Sequence, residues 1–196
     1  MKKLSRITEG ILGDIARRDL SGEKKKEDNI KILYYPKTKD ELRDIIRHEI
    51  KTQDEDHLDL RMIDVSNVIN MDSIFYGLSN LISLDVSNWN VRNVKNMVSM
   101  FYGCTNLISL DVSNWDVRNV ENMNHMFSFC KNLISLDVSN WDVRNVENMN
   151  HMFSFCKNLI SLDVSNWDMS SVKNMEKMFD KCRFNYKKEG NRLIKI

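Results

Sequence analysis

Residues 110–135 read LDVSNWDVRNVENMNHMFSFCKNLIS, and residues 136–161 repeat this string without a single change. Residues 84–109 differ from it at seven positions, and more divergent copies flank these three on either side. A fixed period of this length is typical of repeat proteins, in which each unit buries its apolar face against the next. The sequence therefore predicts five 26-residue repeats, numbered 1 to 5: residues 58–83, 84–109, 110–135, 136–161 and 162–187.

Each repeat contains two kinds of hydrophobic pattern. Leu110, Asp111 and Val112 alternate apolar and polar residues, which predicts a half-buried strand with Leu and Val inward and Asp outward. Val120, Met123 and the residues after them follow steps of three and four, which predicts a short helix. The expected fold class is therefore an α/β solenoid with one short strand and one short helix per repeat. The residues predicted to cap the helices are Asn93, Asn119 and Asn145.

Two columns of equivalent positions look at first like binding sites. A tryptophan column and a cysteine column recur at 26-residue intervals, but repeat 1 has Ile63 and Leu78 at these places. Positions that accept Ile and Leu require apolar bulk, so both columns are interpreted as core, with the thiols free and buried. The columns consist of Trp89, Trp115, Trp141 and Trp167, and of Cys104, Cys130, Cys156 and Cys182.

The ends of a repeat array need caps, and the flanking sequence suggests both. Residues 30–57 predict a strand and a helix that begins with the capping box Thr38 to Glu41, and residues 184–196 predict a hairpin that overlaps the last repeat. The repeats themselves occupy residues 58–187. Residues 1–29 predict a helix followed by a flexible charged link. This segment is expected either to pack on the repeats or to dock the chain to a larger assembly.

Composition excludes several functional classes. The formal net charge of the 196 residues is +1, which gives no basis for nucleic-acid binding. No apolar run is long enough to predict membrane insertion, and polar residues interrupt the region of a signal peptide. No catalytic motif and no metal-ligand spacing is visible, and His125 and His151 are equivalent residues of two identical copies. We therefore expect no enzyme activity, no cofactor and no metal.

The string NLISLDVSNWDVRNVENMNHMFSFC, residues 106–130, resembles the BspA-type leucine-rich repeats. It is most similar to a 26-residue repeat of bacterial surface proteins with the theme LDxSNWDxSxVxxMxxMFxxC. This resemblance implies a solenoid that binds proteins and is displayed on bacterial cells. The chain shows neither a lipobox cysteine near its start nor a sorting signal near its end, so a cytoplasmic or virion-associated location is expected rather than signal-peptide secretion. Free-standing proteins of this class also look similar to products of bacterial and phage genomes.

The strand side offers the candidate binding surface. Its outward residues form Asp and Ser rows that a protein or glycan ligand could contact at several repeats at once. Two other interpretations remain: a solvated face without a ligand, and a cation-binding stripe that relieves repulsion between the carboxylates. The candidate residues are Asp85, Ser87, Ser109, Asp111, Ser113, Ser135, Asp137, Ser139, Asp163 and Ser165.

The predicted function is a non-catalytic protein-interaction scaffold, in an adhesin-like role. The alternative is a structural subunit of a phage virion or another multiprotein assembly, docked through residues 1–20. The sequence does not predict the oligomeric state.

Overall fold

A computed structural model describes residues 30–54 and 56–195. The predictions for residues 1–29 lie outside this part of the chain. The described residues contain a single α-helix, and three small sheets formed by seven short strands. The elements are α1 (Lys39–Thr52), β1 (His57–Asp59), β2 (Ser83–Asp85), β3 (Ser109–Leu110), β4 (Ser135–Leu136), β5 (Ser161–Leu162), β6 (Tyr186–Glu189) and β7 (Arg192–Lys195).

Helix α1 begins with the predicted capping interaction. Thr38 Oγ1 accepts a hydrogen bond from the Glu41 amide at 3.2 Å, and Glu41 Oε2 accepts one from the Lys37 amide at 2.7 Å. These two bonds satisfy amides that have no partner within the helix. Leu42 and Ile46 are buried, so the apolar stripe of α1 covers the start of the repeat array. In the described part of the chain, no helix has both the length and the apolar character that crossing a membrane requires.

The strands of successive repeats pair in parallel at a spacing of 26 residues. β1 pairs with β2 through Leu58 opposite Leu84, and β2 pairs with β3 through Leu84 opposite Leu110. β4 and β5 form a second parallel pair. Leu110 and Val112 are buried on either side of an exposed Asp, so the predicted inward and outward alternation is confirmed.

The short helix predicted in each repeat is absent from the described residues, and that prediction is wrong. Residues 96–104 and their equivalents, which we call the turn segment, form consecutive tight turns instead. The Met100 amide donates to Met97 O, three residues back. The Met97 amide donates to Asn122 O of the next repeat at 2.9 Å. Alternate amides of the turn segment thus bond within the repeat and to the next repeat.

The close spacing of the repeats explains why helices do not form. Equivalent rings of the core are 5.3 Å apart at Phe101 and Phe127, and 6.5 Å apart at Trp115 and Trp141. An α-helix with its side chains is about 10–12 Å wide, so stacked helices would force the repeats apart on that side. A helix would also use its amides internally and leave none for the neighbouring repeat. The turn segment avoids both problems.

Two positions of each turn segment have a positive φ. In repeat 2 they are Ser99 at 52° and Gly103 at 73°, whereas repeats 3 and 4 place Phe129 at 64° and Phe155 at 62° in the glycine position. A positive φ is unfavourable for a bulky residue. The rings of Phe129 and Phe155 stack at 4.4 Å, which offsets part of this cost.

The asparagines predicted as helix caps have a different role. Asn119 Nδ2 donates to Arg92 O at 2.8 Å, and Asn145 Nδ2 donates to Arg118 O at 2.7 Å. Asn93 Nδ2 likewise donates to Ser66 O at 2.8 Å. Each carbonyl belongs to the preceding repeat. These side chains therefore join neighbouring repeats and do not begin helices.

The two ends of the array are closed by different elements. At the N-terminal end, the strand expected before Pro36 is reduced to one parallel bridge between Tyr34 and Ile63. At the C-terminal end, β6 and β7 form an antiparallel hairpin, in which Gly190 has a φ of 58°. A positive φ suits the two-residue turn of a hairpin, and glycine adopts it without steric cost.

The tryptophan column is part of the core, as predicted. Trp141 is 3 % exposed and its Nε1 donates to Val112 O of the preceding repeat at 3.1 Å. The same bond recurs from Trp167 to Val138 O at 3.1 Å. Tryptophan thus supplies apolar bulk and also satisfies a carbonyl that has no water available to it.

The substitution Trp141→Phe tests this second contribution. It keeps an aromatic ring but removes the Nε1 donor, which leaves Val112 O without this partner. We expect the free energy of unfolding to fall by about 1–3 kcal/mol, measured by urea denaturation.

The matched control is Asn140→Ala, next to Trp141 on the surface. Away from special features, exposed substitutions change stability by no more than about 0.5 kcal/mol. An equal effect of the two substitutions would contradict a structural role for the indole hydrogen bond.

Candidate partner-binding face

The predicted binding residues form one repeated local structure. In each of repeats 2 to 5, one aspartate accepts two hydrogen bonds through Oδ1 from the serine two residues later. One comes from the serine amide at 3.0–3.2 Å and the other from its hydroxyl at 2.7 Å. These bonds hold the carboxylate in the same orientation in each repeat. The four pairs are Asp85 with Ser87, Asp111 with Ser113, Asp137 with Ser139, and Asp163 with Ser165.

We call the surface formed by these four aspartates and their serines the strand face. Asp111, Asp137 and Asp163 are exposed, whereas Asp85 is half-buried. The structure thus places all four carboxylates on one side, next to the strands. Of the serines within the strands, Ser135 is exposed and Ser109 is half-buried.

The local bonds change the acidity of one carboxylate. The amide and hydroxyl of Ser165 both donate to Asp163 and lower its pKa from the usual value. Hydrogen bonds to the ionised form favour that form. Asp163 therefore carries its negative charge at neutral pH and below.

One cation already occupies the first part of this aspartate column. Arg61 stands where the other repeats have the serine, and its Nε and Nη2 atoms donate to Asp59 at 3.0 and 2.6 Å. The same Nε lies 3.2 Å from Asp85 Oδ2 in repeat 2. The guanidinium therefore bridges the carboxylates of two neighbouring repeats. The hydrogen bonds from Arg61 are the main cause of a lowered pKa of Asp59.

A column of isoleucines runs beside the aspartates, and the sequence analysis missed it. Ile160 is 59 % exposed, and Ile82, Ile108 and Ile134 are half-buried. Their backbones are in register, because the Ile134 amide donates to Ile108 O at 3.2 Å. Strict alternation with Leu84 and Val86 would have placed Ile82 in the core. The strand begins only at Ser83, so the alternation does not extend to that residue.

The cysteine column is buried and unoxidised, as predicted. Cys104, Cys130 and Cys156 are 0 % exposed, while Cys182 in the last repeat is only partly buried. Each Sγ donates to a phenylalanine carbonyl of the preceding repeat at 3.1–3.2 Å. Burial raises the pKa of Cys104 to about 12 and that of Cys182 to about 11.

The two equivalent histidines lie in the turn segments. The rings of His125 and His151 stack at 4.6 Å. Burial and the neighbouring His151 both lower the pKa of His125. Within residues 30–54 and 56–195, no group of three or more His, Cys, Asp or Glu side chains is arranged to hold a metal ion.

Comparison with protein families gives one match. Residues 46–135 and 107–191 each match the family described as Mycoplasma protein of unknown function, DUF285. The two stretches overlap and together include all five repeats except the first residues of α1 and the chain ends. No curated protein and no solved structure matches the chain.

The burial of the thiols predicts their order of alkylation. In the folded protein at pH 8, iodoacetamide should modify Cys182 first, because it is the only one of these four thiols that is not fully buried. With a pKa of about 11, it should react roughly a hundredfold more slowly than a free cysteine, whose pKa is about 8.5.

Mass spectrometry of tryptic peptides measures the modification at each site. The urea-unfolded protein is the control, in which all four thiols should react at similar rates. Labelling of folded Cys130 as fast as Cys182 would show that the column is not part of a closed core.

Proposed function

We propose that this chain, which belongs to the family described as Mycoplasma protein of unknown function, DUF285, is a non-catalytic protein-binding scaffold. Its ligand is a basic, partly apolar segment of a partner protein, bound on the strand face. The observation that carries this proposal is the Arg61 guanidinium, which bridges Asp59 and Asp85 of adjacent repeats.

Arg61 acts as an internal example of the ligand. Its side chain is 25 % exposed and contacts carboxylates of repeats 1 and 2 at 2.6–3.2 Å. Guanidinium groups match carboxylates in geometry and form charge-assisted hydrogen bonds with them. Repeats 3 to 5 have the same aspartate column but a serine in place of Arg61. An arginine supplied by a partner would meet the same type of carboxylate there.

Repetition adds to the affinity of such a partner. Neighbouring strands in a sheet are about 4.8 Å apart, so the carboxylates of repeats 3, 4 and 5 follow one another at short intervals. Each exposed ion pair is weak, worth about 0.2–1 kcal/mol. Several pairs formed by one segment add up, and the isoleucine column provides apolar surface alongside. The hydroxyl of Ser139 already donates to Asp137, which keeps the carboxylate oriented before binding.

The same proposal extends to architecture and setting. The 26-residue units stack as a solenoid of the leucine-rich-repeat type, and the strand side serves as its recognition surface. The chain is not an enzyme. An adhesin-like role on a bacterial surface and a structural role in a phage virion both stay predictions.

A labelled peptide with alternating arginine and isoleucine tests the proposal. We expect the double variant Asp137→Asn with Asp163→Asn to weaken its binding about tenfold, as the loss of two ion pairs of about 0.7 kcal/mol each would do. Asparagine retains Oδ1 as an acceptor, so the bonds from Ser139 and Ser165 remain. Fluorescence anisotropy measures the dissociation constant.

The matched control removes the same charge from the same two repeats. Asp142→Asn with Asp168→Asn alters two aspartates of a different column, one of which is paired with Arg144 at 2.8 Å. This variant should bind within about twofold of the parent chain. Equal weakening by both variants, or no binding by the parent chain, would refute the strand face as the site.

A further inference from the structure

The turn segments are joined by four columns of backbone hydrogen bonds. In the first column, Met71, Met97, Met123 and Met149 each donate an amide to the carbonyl 25 residues further along, at 2.8–2.9 Å. Three more columns begin at Ser73, Phe75 and Gly77 and follow the same rule, with distances of 2.7–2.9 Å. In every column the donor belongs to one repeat and the acceptor to the next.

All peptide groups in these columns therefore point in the same direction. The carbonyl that accepts from the preceding repeat and the amide that donates to the next repeat belong to one peptide group, as for Asn96 and Met97. Aligned peptide dipoles add, as they do in a helix, and leave partial positive charge at the amide end. The four columns place this positive end at the last repeat.

The last repeat ends the columns with four amides, those of Met175, Lys177, Phe179 and Lys181. We call these four the donor row. Among residues 30–54 and 56–195, no acceptor lies within hydrogen-bonding distance of them. In the preceding repeat, every equivalent amide has an acceptor in repeat 5. The donor row is therefore an exposed edge with a single polarity.

The hairpin closes only the other half of this end. On the strand side, the hydrogen bonds run in the opposite direction, so carbonyls of repeat 5 face the C-terminal end. Tyr186 donates its hydroxyl to Leu162 O at 2.8 Å. Lys188 Nζ donates to Met169 O at 2.8 Å and to Val172 O at 3.3 Å. The structure thus supplies donors for these carbonyls but no acceptors for the donor row.

The charge near the donor row matches an acidic ligand. From Lys173 to Lys195 there are eight lysines and arginines but only three acidic residues. Lys177 and Lys181 are exposed and occupy the two positive-φ positions of the turn segment, at 52° and 60°. Positive charge at the amide end of aligned dipoles is unfavourable by itself. An acidic partner would remove this repulsion.

We propose that the donor row binds an acidic segment of a partner protein, whose carbonyl and carboxylate oxygens accept hydrogen bonds from the four amides. Addition of a polypeptide to an unpaired edge is a common mode of peptide recognition. This site differs from the strand face in position and in the charge of its ligand, so each is tested independently of the other.

Two other occupants fit less well. A second copy of the chain would have to present the carbonyls at the start of repeat 1. Helix α1 lies at that end, where Lys39 Nζ is 3.2 Å from Asp72 Oδ2. The helix also has four basic and four acidic residues, and so offers no net negative charge. Residues 1–29 contain eight basic and six acidic residues, which does not match a basic site.

Titration of the full-length, ¹⁵N-labelled protein with a ten-residue peptide of alternating glutamate and threonine tests the proposal by NMR. A new hydrogen bond shifts an amide proton downfield. We expect the largest shifts at Met175, Lys177, Phe179 and Lys181. The amides of Met149 and Phe153, which already bond to repeat 5, should shift little.

Charge variants separate the lysine side chains from the backbone. Glycine tolerates a positive φ, as Gly77 and Gly103 do at the position of Lys181. We expect Lys177→Gly with Lys181→Gly to weaken the peptide about five- to tenfold, with the shifts still at the donor row. The control, Lys131→Gln with Lys157→Gln, removes the same charge from repeats 3 and 4 and should change affinity by less than twofold.

Three results would overturn the proposal. Absence of saturable shifts at the donor row would mean that Lys177 and Lys181 only protect an exposed edge from pairing. Equal weakening by both pairs of substitutions would indicate a general charge effect. Shifts at the donor row that depend on protein concentration, without peptide, would assign the edge to a second copy of the chain.

Discussion

The hydrogen bonds between turn segments determine most of this structure. Because the Met97 amide and its equivalents donate to the next repeat and not to their own, neighbouring backbones must lie within one hydrogen bond of each other. This short distance leaves no room for a helix in the repeat. It also brings equivalent side chains into contact, so the rings of Phe101 and Phe127 stack at 5.3 Å. The core is therefore a set of columns, each filled by one type of residue.

The same bonds give the array a direction. On the turn side donors point toward the C-terminal end, and on the strand side carbonyls do so. Within the array every such group is satisfied by the next repeat, so only the end exposes the difference. The hairpin supplies Tyr186 and Lys188 to the carbonyls, and the donor row lacks corresponding acceptors among the described residues. The end of the array and its strand face thus offer surfaces of opposite charge.

The divergent repeats are more informative about binding than the identical ones. Repeats 3 and 4 have the same sequence, so their residues report what the core of any internal repeat requires. Repeat 1 replaces the column serine by Arg61 and shows that a guanidinium fits between two aspartates. Repeat 5 introduces Lys177 and Lys181 at positions where other repeats have uncharged residues or histidine. Both changes are at the surface, where packing does not dictate the residue.

The sequence by itself determined the period, the parallel pairing partners and the inward residues of each repeat. Alternation identified Leu110 and Val112 as buried and Asp111 as exposed, and Ile63 and Leu78 showed that the tryptophan and cysteine columns are core. Only the tertiary structure decided between helix and turns. Met97, Met100, Phe101 and Cys104 are spaced by three and four residues, which suits a helix and two consecutive tight turns equally well. The choice depends on amide partners 25 residues away, and for the same reason the Arg61 bridge and the donor row could not be read from local sequence.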